Sequence, residues 1–154
     1  MYKAKDIMST PAVSITENHT LQEVLELMAE NNFSGLPIVD SDNKVIGIIS
    51  NTDIIRYSQQ SSVIPLSNLS GWISPYANIT DLASVRKGFE MLNKTKAGQI
   101  MTKKVYTVSL DTDATEIAQL MNQRKVNRIP VVDSEGKLVG IVTRGDMVQC
   151  MAKL

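Results

Sequence analysis

Apolar residues fill two short stretches, AVSI at Ala12–Ile15 and VYTV at Val105–Val108, and each reads as a short strand. Each is followed by an apolar stripe at 3–4 spacing: Leu21, Val24, Leu25 and Met28 in the first case, Ala114, Ile117, Ala118 and Met121 in the second. That period predicts an amphipathic helix. Thr20-x-x-Glu23 and Asp113-x-x-Glu116 stand where a capping box would open each helix. The chain then turns through Asn32–Gly35 and Lys125–Arg128 into two apolar strands, LPIVD and IPVVD. The turns DSDNK and DSEGK come next, with Asn43 and Gly136 at the same place. Both residue types tolerate the left-handed backbone of a tight hairpin. The strands VIGII and LVGIV follow, and each runs through a sharp corner into a helix, Asp53–Gln59 or Asp146–Met151.

The predicted order is therefore β-α-β-β-α, twice, an α/β (α+β) fold. Sliding the chain on itself by 93 residues aligns Ile7–Ile55 with Ile100–Val148 without a gap, and 13 of the 49 pairs are identical. Two copies are too few for a solenoid, so two pseudo-symmetric units packed sheet to sheet about a two-fold axis are expected. The division is 1–56 for the first unit, 57–96 for a connector and 97–154 for the second. Within the connector, 81–93 reads as an amphipathic helix with Leu82, Val85, Phe89 and Leu92 on one face. Val63–Asn78 is irregular, with Trp72, Tyr76 and two prolines, and reads either as a packed connector or as a lid.

Charge narrows the functions open to this chain. Sixteen basic residues balance 16 acidic ones, which argues against a nucleic-acid or anionic-membrane binder. The single cysteine, Cys150, excludes an intrachain disulfide and fits a reducing, cytoplasmic setting. No stretch has the roughly 20 apolar residues of a membrane span, and MYKAKDIMST lacks the apolar run of a signal peptide. Neither a Walker loop nor GxGxxG occurs, no Cys/His cluster suggests a metal, and the sole histidine, His19, reads as a solvated loop residue. The expectation is no enzyme and no metal.

The corners carry the chemistry that remains. GIISNTD at Gly47–Asp53 and GIVTRGD at Gly140–Asp146 each place a hydroxyl three residues before an aspartate. This spacing makes a capping box. A helix N-terminus also suits an anion, and its carboxylate suits a vicinal diol such as a ribose. Gly47 and Gly140 are expected to keep side chains clear of such a ligand.

The ordered set I-M-[ST], V-x-[ST]-[IV], helix, L-P-[IV]-V-D and G-[IV]-[IV]-[ST]-x-x-D, present twice with a long connector, resembles a tandem pair of CBS (cystathionine β-synthase) domains, a Bateman-type regulatory module. The resemblance implies a non-catalytic module that binds an adenosine nucleotide (AMP, ADP or ATP) as regulatory ligand, with no cofactor required. It also implies pairing into a homodimer and a separate effector protein as a further candidate partner. Carried over by position, one cleft draws on Ser9, Ala12, Ser14, Ser34 and Gly35 around adenine, with Asp146 on the ribose, Ile141 and Thr143 beside it, and Arg128 and Arg144 toward phosphate. The other draws on Thr102, Val105, Thr107 and Asn127 with Ile48, Ser50 and Asp53. Arg128 and Arg144 correspond to Gly35 and Asn51, so the Asp53 cleft is expected to be the weaker. Two alternatives remain open: a structural dimerisation module with vestigial clefts, or a sensor of S-adenosylmethionine, a cyclic dinucleotide or a divalent ion.

Overall fold

The structure, a computed structural model, describes residues 1–60 and 79–154, with side chains in the helix over 79–94 described from Arg86 onward. The elements are α1 (Ala4–Ile7), α2 (Leu21–Asn31), β1 (Gly35–Val39), β2 (Val45–Ser50), α3 (Asn51–Gln60), α4 (Ile79–Lys94), α5 (Ala97–Ile100), β3 (Val108–Ser109), α6 (Ala114–Arg124), β4 (Arg128–Val132), β5 (Leu138–Thr143) and α7 (Arg144–Ala152). The fold is α/β, and the elements of one repeat recur at the matching positions of the other. The short helices α1 and α5 were not expected, since four residues are too few to display a helical period. The expected strand AVSI is a lone bridge residue at Ile15, and VYTV yields only Val108–Ser109. A two-residue parallel pairing, Val108 with Val131 and Ser109 with Val132, is all that the second stretch forms.

Contacts divide the chain into two bodies that cut across the repeats. The first gathers Met1–Ser14, Pro37–Ile48 and Lys103–Leu154; the second gathers Ile15–Leu36 and Ile49–Thr102. In the first body, β3, β4 and β5 form a sheet, parallel between β3 and β4 and antiparallel between β4 and β5. Its core holds Val108, Ile117, Met121, Ile129, Val131 and Val142, together with Ala4 from α1. The segment before the first repeat's own helix is therefore built into the second repeat. Ala4 and Lys5 N–H donate to the carbonyls of Thr112 (2.8 Å) and Leu110 (3.0 Å), and Ala114 N–H donates to Tyr2 (2.9 Å). Lys5 adds a 2.8 Å bond to Asp111, and that hydrogen bond, with the charge behind it, holds the Asp111 carboxyl below its ordinary range. The hairpin Asp40–Lys44 joins the same body, where Asn43 exchanges bonds with the Leu138 backbone (3.0 and 3.1 Å).

The second body repeats the device with the roles exchanged. Ala97 and Gly98, in α5, donate to His19 (2.8 Å) and Glu17 (2.9 Å), while Leu21 N–H donates to Thr95 (3.0 Å). Ile15, Leu21, Val24, Leu36, Ile49 and Ala97 are all at most 1% exposed. His19 is half-buried rather than solvated, and its Nδ1 accepts the Thr16 N–H at 3.0 Å, which closes a turn. Among the described residues of α4, Gly88, Met91 and Leu92 are buried, whereas Phe89 is 47% exposed. Of the expected face, Leu92 is buried and Phe89 is not, and Met91 is buried beside Leu92. The connector stretch 63–78 lies outside the described residues, as do the side chains of Leu82 and Val85.

The capping expectation holds at α2. Glu23 N–H donates to Thr20 Oγ1 (3.2 Å) and Thr20 N–H donates back to Glu23 Oε1 (3.3 Å). Those bonds lower the Glu23 carboxyl below its usual range. At α6 the box does not form: Asp113 makes no side-chain cap bond, although the Ala114 N–H at the first helical position is satisfied by the Tyr2 carbonyl. The stripe on α6 is also narrower than expected, with Ile117 and Met121 buried but Ala118 exposed.

Asn43 (φ 62°) and Gly136 (φ 81°) are left-handed, as the hairpin turns require. Asn32 (φ 55°) and Lys125 (φ 56°) are left-handed too, at the C-caps of α2 and α6. Lysine has no side-chain acceptor to ease that conformation, whereas asparagine tolerates it. Lys125→Asn, which copies the first repeat, should stabilise the protein by about 0.5 kcal/mol. Urea unfolding checks this, with a raised midpoint at unchanged slope as the expected result.

Candidate functional site

Each corner is a strand end, a hydroxyl and a helix. At the first, Ser50 closes β2; at the second, Thr143 closes β5. Both capping boxes form. Ser50 N–H and Oγ donate to Asp53 Oδ2 at 2.9 and 3.0 Å, and Asp53 N–H donates to Ser50 Oγ at 3.3 Å. Thr143 N–H and Oγ1 donate to Asp146 Oδ2 at 2.8 and 3.0 Å, and Asp146 N–H returns a bond of 3.2 Å to Thr143 Oγ1. A cap of this kind contributes about 1 kcal/mol.

The cap uses one carboxylate oxygen and leaves the other. Asp146 Oδ1 accepts only a long 3.5 Å contact from Ser9 Oγ; Asp53 Oδ1 accepts one of 3.4 Å from Thr102 Oγ1. Hydrogen bonds to a carboxylate oxygen are ordinarily 2.5–2.7 Å from a hydroxyl, so both contacts are weak. Both carboxylates are half-buried; the second oxygen of Asp146 is poorly satisfied by the protein, while that of Asp53 also has the Arg56 guanidinium at 3.8 Å.

The hydroxyl facing each carboxylate comes from the other repeat. Ser9 is held there by two backbone bonds with Ile141, of 2.9 and 3.3 Å. Met8, just before it, packs on Gly140: a Cβ added at Gly140 would collide with Met8 Sδ and lie 2.9 Å from Cγ. The glycine of G-[IV]-[IV]-[ST]-x-x-D therefore makes room for the methionine of I-M-[ST], and the space is filled by protein rather than kept for a ligand.

In the first body the structure brings together Ser9, Ile141, Thr143, Arg144 and Asp146. Arg128 is directly across β4–β5 from Thr143, and Arg144 N–H donates to the Asn127 carbonyl (3.0 Å), so both basic residues adjoin this corner. Ala12, Ser14, Val105, Thr107, Asn127 and Ile48 belong to the same body. In the second body Ser50, Asp53 and Thr102 come together, and Asn51 N–H donates to the Ser34 carbonyl (3.0 Å), with Gly35 next along the chain. Arg56 was missed by the sequence reading: its Nη1 is 3.8 Å from Asp53 Oδ1. Its i+3 spacing from Asp53 was the available signal.

A further cavity of about 500 Å³, lined by Met1, Tyr2, Asp6, Ala114, Thr115, Cys150 and Leu154, shares no residue with the corners. Its one carboxylate, Asp6, already accepts the Lys3 N–H at 2.8 Å. Among the described residues no three His, Cys, Asp or Glu side chains gather to hold a metal ion, and no helix is long and apolar enough to cross a membrane.

Two swapped linker–corner arrangements on a repeated α/β frame define a CBS domain pair. A CBS domain profile matches residues 4–60 and again 97–153, and the chain belongs to that family. An uncharacterised protein of Methanocaldococcus jannaschii is 34% identical over 151 residues, 96% of this chain and 89% of the relative. The chloroplastic CBS domain-containing protein CBSX1 of Arabidopsis thaliana is 32% identical over 137 residues, 88% of this chain, which spans only 57% of that relative's length. Among solved structures, a CBS domain pair in complex with 5′-methylthioadenosine and S-adenosyl-L-methionine superposes with a TM-score of 0.74. It is 26% identical, and the match covers 99% of this chain and 98% of the other.

Overpacking a filled site costs roughly 1–3 kcal/mol. Gly140→Ala should lower stability by about that much, and far less in a Met8→Ala background, where the thioether is gone. A double-mutant cycle by chemical denaturation measures the coupling. Equal losses in the two backgrounds would remove Met8 as the reason for the glycine.

Proposed function

We propose that this chain is a non-catalytic regulatory module that binds an adenosine nucleotide, AMP, ADP or ATP, by the ribose diol. The observation that carries the reading is the division of labour at Asp146: Oδ2 is spent on the helix cap, and Oδ1 has only the 3.5 Å contact with Ser9. A diol hydroxyl donating to Oδ1 completes the carboxylate without disturbing the helix. Arg128 and Arg144, at the same corner, supply positive charge for phosphate. Ser9, Ala12 and Ser14, which share a body with Asp146, are the adenine-side residues of that reading. Ser50 and Thr102, which share a body with Asp53, serve with it in the second site.

A second reading, an S-adenosyl compound, is favoured by the solved relative that holds 5′-methylthioadenosine and S-adenosyl-L-methionine. Both of those molecules carry the same diol, so ribose recognition is common to the two readings and the 5′ substituent separates them. Phosphate at that position suits Arg128 and Arg144; a sulfonium does not.

Asp146→Asn is the discriminating substitution. The amide oxygen can turn to take the Thr143 bonds and preserve the cap, which leaves an NH2 donor where the diol needs an acceptor. Hydrogen bonds to charged groups contribute about 1.5–3 kcal/mol, so AMP binding should weaken about tenfold or more. Titration calorimetry with AMP, ADP, ATP and S-adenosylmethionine measures it. Undiminished binding of all four would overturn ribose recognition at this residue, and preference for S-adenosylmethionine in the wild type would select the second reading.

The same module is proposed to act as a cytoplasmic homodimer, passing its ligand state to a separate effector protein. Val148 (65% exposed) and Met151 (69% exposed) are one turn apart on α7 and offer an apolar face to a second copy. Light scattering should give twice the chain mass; the single-chain mass at every concentration would exclude it.

A further inference from the structure

The two corners have the same cap and differ at the second oxygen. The Oδ2 distances agree to within 0.1 Å: 2.9 and 3.0 Å at Asp53 against 2.8 and 3.0 Å at Asp146. At Oδ1, Asp146 meets Ser9 Oγ at 3.5 Å. Asp53 meets Thr102 Oγ1 at 3.4 Å and also the Arg56 guanidinium at 3.8 Å. The residue matching Arg56 in the second repeat is the uncharged Gln149. Arg56 lies three residues beyond Asp53 on α3, hence on the same face of the helix. Its side chain is 61% exposed, whereas that of Asp53 is 11% exposed. The carboxylate is fixed by its cap, and the cation reaches it from the solvent side.

We propose that Arg56 sets the affinity difference between the two sites by occupying the oxygen of Asp53 that a diol must reach. The proposal rests on the diol reading above and adds to it a specificity-determining residue. A diol hydroxyl arriving at Asp53 Oδ1 has to displace the guanidinium into water; at Asp146 it displaces only a long hydroxyl contact. The weaker site is therefore the Asp53 site, for a reason beyond the Arg128 and Arg144 asymmetry: one site has cations placed for phosphate, and the other has a cation placed against its own acceptor. The two effects separate chemically, because only the first requires the ligand to carry phosphate. A neutral nucleoside still discriminates between the sites through Arg56. An exposed ion pair is weak, so the effect is small, about 1.5- to 5-fold in affinity. It also fades as salt shortens the screening length from about 10 Å at 0.1 M to about 3 Å at 1 M.

Adenosine is the probe, since it offers base and diol without a phosphate for Arg56 to attract. Amide NMR titration of the full chain reads each site by itself, from Ser50 and Asp53 at one corner and Thr143 and Asp146 at the other. Arg56→Gln should tighten adenosine at the Ser50/Asp53 reporters about 1.5- to 5-fold at low salt, with the gain lost near 1 M. The reciprocal Gln149→Arg should weaken the Thr143/Asp146 response by a similar factor. Unchanged or weaker binding in Arg56→Gln, or a gain that persists at 1 M salt, overturns the proposal. Asp53→Asn tells its failure from that of the diol reading. If that variant loses the Ser50 response while Arg56→Gln is indifferent, only the role of Arg56 falls. If it binds adenosine like the wild type, or if no reporter responds to adenosine in any protein, the diol reading falls and this proposal with it.

Discussion

The backbone bridge between Ser9 and Ile141 is the constraint on which the first body depends. Ser9 can hold that position only because Tyr2, Ala4 and Lys5 are hydrogen-bonded to the Leu110–Ala114 segment and Ala4 is sealed in the core with Val108 and Ile117. Remove that anchoring and Met8 leaves Gly140, and the hydroxyl opposite Asp146 goes with it. The second body relies on the same exchange through Ala97, Gly98 and Thr102. Neither repeat completes its own corner.

This exchange gives a physical meaning to the order of motifs. The I-M-[ST] triplet supplies an apolar side chain that fills a glycine notch and a hydroxyl that faces a carboxylate. The carboxylate in turn caps a helix with one oxygen and keeps the other for a partner. On the proposed diol reading, stability and recognition draw on separate atoms of one residue. A substitution that removes both oxygens' roles conflates the two, whereas one that preserves the cap isolates recognition. The corner can be rigid before any ligand arrives, which lowers the ordering cost of binding.

The repeats diverge where selectivity arises. Their corner caps coincide, because the same strand-to-helix backbone must be closed twice with the same geometry. Their charged positions do not: Arg128 and Arg144 stand at one corner, Arg56 at the other. Exposed charges cost little to exchange, so duplicated corners sharing one frame are free to acquire different ligand preferences.

Much of this was legible in the chain. The gapless offset between the repeats, the left-handed turn residues Asn43 and Gly136, and the hydroxyl–aspartate spacing are local facts, and local sterics and hydrogen bonding enforce them wherever the segment sits. The α2 cap and both corner caps formed for that reason. The rest needed tertiary structure. Four-residue helices have no period to read, so α1 and α5 were invisible, and the strand expected at Ala12–Ile15 shrank to one bridge. That Met91 rather than Phe89 is buried on α4 depended on a core that sequence does not locate. Asp113 looked like a cap but makes no side-chain cap bond, and the helix start is tied instead to Tyr2, more than a hundred residues away. Sequence by itself determined the repeat, its turns and three of the four expected caps, because each of these is settled within a few residues. Only the folded chain decided which hydroxyl faces which carboxylate, because that pairing joins residues 137 apart for Ser9 and Asp146, and such contacts follow from packing rather than from any local pattern.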